Sequence, residues 1–169
     1  DDELAARLRM IANHGQNRRY YFDRIGVNSR LDSIQAAILR VKLRQLDAYT
    51  QARQNVAAYY DEAFAGVSAI KIPARAPYST HVFHQYTIRV MDGRRDALQD
   101  YLTAQDIPSV IFYPLAVHQQ TAYQSDSYHD ADYPYTLSVT QQVLSLPMHT
   151  ELDAEQLAYI TGHVVKFFS

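Results

Sequence analysis

The apolar residues of this chain change period at Gly66, and that change restricts the fold more than any other feature. Before it, apolar side chains recur every three or four positions: Leu4, Leu8 and Ile11; then Leu31, Ile34, Ile38 and Val41, widened by Leu39, Leu43 and Leu46; then Val56, Tyr60, Ala63 and Phe64. This spacing predicts a helix from Asp2 to about Asn13 and two more after Leu31, which can run on as one bent rod. After Gly66, runs rich in β-formers at Ala69–Ile72, His81–Val90, Ile107–Tyr113 and Val143–Leu146 predict strands; Asp92-Gly93 supplies a turn, and Pro114 and Pro147 supply stops. Two further helices are expected. One covers Arg94–Gln105, with Leu98 and Leu102 at helical spacing. The other opens with Asp153 and Gln156 as a capping box and turns Leu157, Ile160, Val164 and Phe168 toward the core. Helices packed on a small, mainly antiparallel sheet make an α+β fold.

At 169 residues the chain can bury roughly 70% of the surface its unfolded form exposes. Sixteen basic residues against 18 acidic ones leave a formal charge of −2, so no positive excess points to nucleic acid or to a membrane surface. Cysteine is absent, which excludes disulfides, thiol catalysis and thiolate metal sites. No apolar stretch approaches the ~20 residues that span a bilayer, and no signal-peptide core is visible. A cytoplasmic location is expected. Asp1 begins what reads as a helix already under way, so the residues are expected to be part of a longer protein.

The segment Gly26-Val27-Asn28-Ser29-Arg30-Leu31-Asp32 joins a tight polar loop to an apolar-faced helix. Gly26 permits a turn that a side chain would obstruct, Asn28 offers an amide donor, and Arg30 offers a planar cation suited to carboxylate or phosphate. Gln16–Asn28, with Arg18, Arg19 and Arg24, has no period and reads as a long ordered loop. Its arginines can hold an anion, or be solvated, or pair with Asp23 and Asp32; residue types alone leave this open. Phe112-Tyr113-Pro114-Leu115-Ala116-Val117-His118 reads as a strand end presenting a tyrosine and a histidine, where ligand contacts are common. His118, His129 and His149 with Asp126, Asp130 and Asp132 match no metal-ligand spacing. The intervening stretch Tyr123–Thr136 reads as a polar surface loop, and no metal site is expected. Neither a nucleophile-elbow serine nor a glycine-rich phosphate loop is present.

The text NHGQNRRYYFDRIGVNSRLDSIQAAILRVKLRQLDAY, followed by HQYTIRV, VIFYPLAVHQQTAY and VLSLPMHTELDAEQLAYI, closely resembles the C-terminal half of the DegT/StrS-type sugar aminotransferases. These are pyridoxal-phosphate enzymes of the aspartate-aminotransferase fold. The resemblance implies that the chain forms their small C-terminal domain (residues 31–169), preceded by a helix and active-site loop (residues 1–30) continuing from a large domain. By position, Asn28 matches the asparagine that reaches the cofactor phosphate of the neighbouring subunit in a homodimer with shared active sites. Arg30 matches the arginine beside it, near the cofactor or an acidic sugar. Tyr113 and His118 fall in the stretch, usually His-Tyr-Pro-x-x-x-x-His, that lines the sugar-nucleotide pocket. Phe112 stands where that histidine is usual.

The family's Schiff-base lysine has no counterpart among Lys42, Lys71 and Lys166; the resemblance implies that it lies upstream, so no catalytic residue is assigned within the chain. The expected function is the C-terminal part of an enzyme moving an amino group, from glutamate, to a nucleotide-linked keto-sugar. The wording IGVNSRLDSIQAA points to a UDP-linked 3-keto uronic acid. The competing expectation is a natural non-catalytic dimerisation or interaction module.

Overall fold

A computed structural model describes residues 1–169 and resolves two compact units, Asp1–Leu46 and Asp47–Ser169. The helix Ser33–Lys42 buries no side chain.

In the first unit, α1 (Asp2–Ala12) is capped by Asp1, whose carboxylate accepts from the Leu4 amide at 3.0 Å. Its Glu3 and Arg7 pair one turn apart at 2.5 Å. Where the sequence suggested an aperiodic loop, β1 (Gln16–Arg18) and β2 (Tyr21–Phe22) form an antiparallel hairpin with an irregular register. Tyr20, at its turn, takes a left-handed φ of 70°. The helix Ser33–Lys42, α2, starts at Asp32, whose carboxylate accepts from the amides of Ile34 at 2.7 Å and Gln35 at 3.2 Å. Gly15 alone among residues 1–46 is buried.

A 3₁₀ turn, Leu43–Gln45, lies between α2 and α3 (Leu46–Phe64). The second unit then builds a three-stranded antiparallel sheet in the order β3 (Ile70–Lys71), β4 (Tyr86–Val90), β5 (Val143–Leu146). The register pairs Ile88 with Leu144 and Tyr86 with Leu146. Alternate residues of β4 (Tyr86, Ile88 and Val90) are buried, while all four of β5 are. Helices α4 (Arg95–Thr103), α5 (Pro134–Thr140) and α6 (Ala154–Phe168) complete the unit.

One core joins these elements: Val56, Tyr60 and Phe64 of α3, the inward residues of β4 and β5, Leu98 and Leu102 of α4, and Leu157, Ile160 and Val164 of α6. The Tyr60 ring lies 4.9 Å from that of Tyr86. Two buried or half-buried arginines tie loops to it. Arg53 donates to the carbonyls of Phe83, His84 and Met148, and Arg95 donates to those of Thr140 and Val143. Each supplies donors to carbonyls that would otherwise lose their water unpaired.

Two strand expectations shrink. His81–Gln85 lies outside β4, because the ladder with β5 ends at the Tyr86–Leu146 pair. Ile107–Tyr113 contributes only an isolated bridge, Val110 to Ser145. The stretch read as a polar surface loop contains a 3₁₀ turn at Asp130–Asp132 and then the start of α5, with Pro134 in its first turn; another 3₁₀ turn, Thr121–Tyr123, leads into it.

Candidate functional site

The Gly26–Arg30 loop is seated on the C-terminal end of α1, where helical carbonyls lack intrahelical partners. The Val27 amide donates to the Ile11 carbonyl at 2.8 Å, and the Ser29 amide to that of Ala12 at 2.9 Å; the His14 amide returns a bond to the Val27 carbonyl at 2.9 Å. Two glycines allow this approach. A Cβ on Gly26 would sit 2.2 Å from the Gly15 nitrogen, and one on Gly15, whose φ is +80°, would sit 1.8 Å from the Arg24 carbonyl oxygen. Backbone meets backbone here with no room for a methyl group.

On this mount Arg30 Nε donates to Asn28 Oδ1 at 2.7 Å. A guanidinium has no acceptor, so the atom it meets must be the amide oxygen, and the Asn28 amide nitrogen keeps its hydrogens for another acceptor. Asp32 does not pair with Arg30, because its carboxylate is engaged as the N-cap of α2. Arg18, Arg19, Arg24 and Arg30 make no salt bridge. The Arg18 guanidinium lies 3.9 Å over the Tyr21 ring and that of Arg19 lies 4.9 Å over Tyr20. Cation–π contact orients these groups without neutralising them. Arg30 and the Asn28 amide nitrogen are therefore left exposed with donors that no acidic side chain shares.

In the second unit, Tyr113 is 71% exposed and touches the Phe112 ring edge-on at 5.7 Å. His118 lies in a 3₁₀ turn, Val117–Gln119, and is held from two sides. Its Nε2 meets Asp130 Oδ1 at 2.8 Å, and its ring lies 4.8 Å from that of Tyr133. Gln119 Nε2 donates to both Asp130 oxygens, at 3.1 and 3.2 Å. Asp130, weighed in the sequence only as a metal ligand, is instead the partner of His118; Gln119 and Tyr133 escaped sequence reasoning, and the density of tyrosines between 113 and 135 was the available signal. No three His, Asp or Glu side chains converge as metal ligands would, and no helix is long and apolar enough to cross a membrane.

The sequence pattern of the DegT/DnrJ/EryC1/StrS aminotransferase family matches residues 1–165, and the chain belongs to that family. It is 42% identical over 160 residues to a UDP-2-acetamido-2-deoxy-3-oxo-D-glucuronate aminotransferase of Pseudomonas aeruginosa, covering 95% of this chain and 43% of that protein. It is 40% identical over 172 residues to a pleiotropic regulatory protein of Geobacillus stearothermophilus, covering 99% of this chain and 45% of that one. The fold superposes on a crystal structure of S. venezuelae DesV in complex with a ketimine intermediate at a TM-score of 0.91 and 37% identity, covering all of this chain and 45% of that one. The chain spans less than half the length of these relatives.

Proposed function

We propose that this chain is the C-terminal part of a pyridoxal-phosphate aminotransferase that transfers an amino group from glutamate to a nucleotide-linked keto-sugar, with a UDP-linked 3-keto uronic acid as the first candidate. The observation that carries the reading is the Asn28–Arg30 pair, fixed by backbone contacts and left with unshared donors. Such donors suit a phosphate or a carboxylate. The Asn28 amide would hold the cofactor phosphate, in the active site of a neighbouring subunit of a homodimer. The remaining N–H groups of Arg30 would meet the uronate carboxylate, and Tyr113 and His118 would line the sugar-nucleotide side. Pyridoxal phosphate, when bound, supplies an electron sink for moving an amino group between carbons.

The lysine that carries the cofactor is assigned outside these 169 residues. Support comes from the placement of Lys42, Lys71 and Lys166, which are all exposed: Lys42 and Lys166 in the last turns of α2 and α6, and Lys71 on the two-residue strand β3. The second reading is a non-catalytic dimerisation or interaction module, since none of the three lysines matches the family's Schiff-base position.

One assay separates the two. The enzyme that contains this chain is incubated with glutamate and UDP-linked 3-keto sugars, with and without a C6 carboxylate, and amino-sugar formation is followed. The proposal expects turnover of the uronic acid, and Arg30→Lys should lower kcat/KM about tenfold for the uronate while leaving the neutral sugar within about threefold, because a bidentate contact becomes a single one. Absence of turnover together with absence of cofactor uptake would favour the non-catalytic module.

A further inference from the structure

We infer that the cavity between the start of α6 and the turn after α4 is a binding site for an organic ammonium ion, a cationic nitrogen carried on a hydrocarbon body. The site lies wholly in the second unit and uses none of Asn28, Arg30, Tyr113 and His118, so it goes beyond the aminotransferase reading and stands apart from it. The cavity encloses about 390 Å³, within the range of sites that take small organic molecules.

Its lining divides by burial. Ile107 and Ile160 are buried and form the floor, which Pro108, Pro147 and Leu152 continue. These side chains offer no hydrogen bond and suit a hydrocarbon guest. At the rim stand Asp106, Glu155 and Tyr159, all exposed. Neither carboxylate enters an ion pair, since the salt bridges of the chain join other residues. No arginine or lysine lines the cavity. His149 brings no positive charge either, because its Nδ1 accepts from the Glu151 amide at 3.2 Å, and a ring that accepts there is neutral. The rim therefore carries two uncompensated negative charges above an apolar floor.

Tyr159 selects the charged end of the guest. Its hydroxyl donates to the Gln105 carbonyl at 3.2 Å and its ring lies 4.5 Å from that of His163, so the ring is held at two points. It stays 49% exposed. The face of a phenol ring attracts a cation, and quaternary ammonium groups are bound in this way. A bare metal ion is not served, because no three acidic or histidine side chains converge and the floor supplies no oxygen. An anion would be repelled by both carboxylates. A neutral apolar molecule would fill the floor and leave the rim charges unused. An alkylammonium ion uses floor, ring and carboxylates together.

The test is calorimetric titration of the 169-residue chain with hexyltrimethylammonium, tetramethylammonium, hexanol and hexanoate. Hexyltrimethylammonium should bind about tenfold or more tighter than either tetramethylammonium or hexanol, because it buries the alkyl chain and keeps the charge. Hexanoate should bind more weakly than hexanol. Glu155→Gln, at an exposed position where folding is insensitive, should weaken hexyltrimethylammonium about threefold, and salt at about 0.5 M should abolish that difference. Tyr159→Ala should weaken it about fivefold, whereas Tyr159→Phe, which keeps the ring face, should stay within about twofold. Circular dichroism checks that each variant is folded. Failure of hexyltrimethylammonium to bind, hexanoate binding as tightly as the ammonium, or an affinity unchanged in both Glu155→Gln and Tyr159→Ala would each overturn the site.

Discussion

Leu98, Leu102, Leu144 and Val164 of the second unit expose none of their surface, whereas Leu31, Ile34, Ile38 and Leu43 of the first expose 67%, 73%, 54% and 68%. The residue types and the helical spacing are alike in the two regions. What differs is whether anything within the chain lies opposite the apolar stripe. Periodicity specifies that a segment forms a helix with one apolar face; it carries no information about what that face meets. The first unit is therefore held by backbone: two aspartate caps, the bonds from Val27 and Ser29 to the end of α1, and the Gly15–Gly26 contact. The second is held by a continuous side-chain core.

Truncating a core leucine gives the largest contrast. Leu144→Ala should destabilise the 169-residue chain by about 3 kcal/mol through lost burial and the cavity left behind. The measurement is urea denaturation followed by circular dichroism. A loss below about 1 kcal/mol would mean that β5 is not part of a close-packed core.

Alkaline pH gives the next. Tyr60 is fully buried and its hydroxyl donates to the Pro147 carbonyl at 2.9 Å; Tyr86, also fully buried, donates to Asp61 at 2.7 Å. Burial, and for Tyr86 also the hydrogen bond to the Asp61 carboxylate, pushes both phenols well above their ordinary value of 10.0. Both stay protonated in the folded state after the unfolded chain has begun to lose its protons. Their contribution is fully present below pH 10 and is lost as pH rises above it, by up to about 1.4 kcal/mol per pH unit for each tyrosine. Denaturation midpoints between pH 9 and 11.5 should fall, and Tyr60→Phe should flatten the fall. A flat profile in the unsubstituted chain would contradict the burial of both phenols.

The smallest effect belongs to the first unit. Ile34→Ala, on the uncovered face of α2, should cost less than about 0.5 kcal/mol in the same urea experiment. A loss comparable to that of Leu144→Ala would erase the distinction between the two regions.

The sequence made the core-bearing helices legible because their apolar residues recur at the turn of a helix, and it made the start of α6 legible because the capping box forms in both directions. The Gln156 amide donates to Asp153 at 2.8 Å, and the Asp153 amide donates to the Gln156 side chain at 3.1 Å. It misled where pairing, not pattern, decides. Ile107–Tyr113 is rich in β-formers, but only Val110 meets Ser145. The β1–β2 hairpin pairs exposed residues across an irregular register and leaves no alternation to read. Helix α5 was hidden by its turn-rich approach, Asp130-Ala131-Asp132-Tyr133-Pro134. In the candidate site, the residue types of the Gly26–Arg30 loop left open whether its arginines hold an anion, are solvated or pair with Asp23 and Asp32. The Gly15 contact and the hold of Asp130 on His118 were not legible, because each joins positions separated along the chain by segments of no fixed length.

The central claim is that Asn28 holds the cofactor phosphate. Its most direct test compares pyridoxal phosphate with pyridoxal in the enzyme that contains this chain, with and without Asn28→Ala, by equilibrium titration. The account predicts that the substitution weakens pyridoxal phosphate about tenfold, or about 1.4 kcal/mol, a fair value for one hydrogen bond to a charged group, and leaves pyridoxal unchanged. Equal affinities for pyridoxal phosphate, or an equal loss for both compounds, would contradict it.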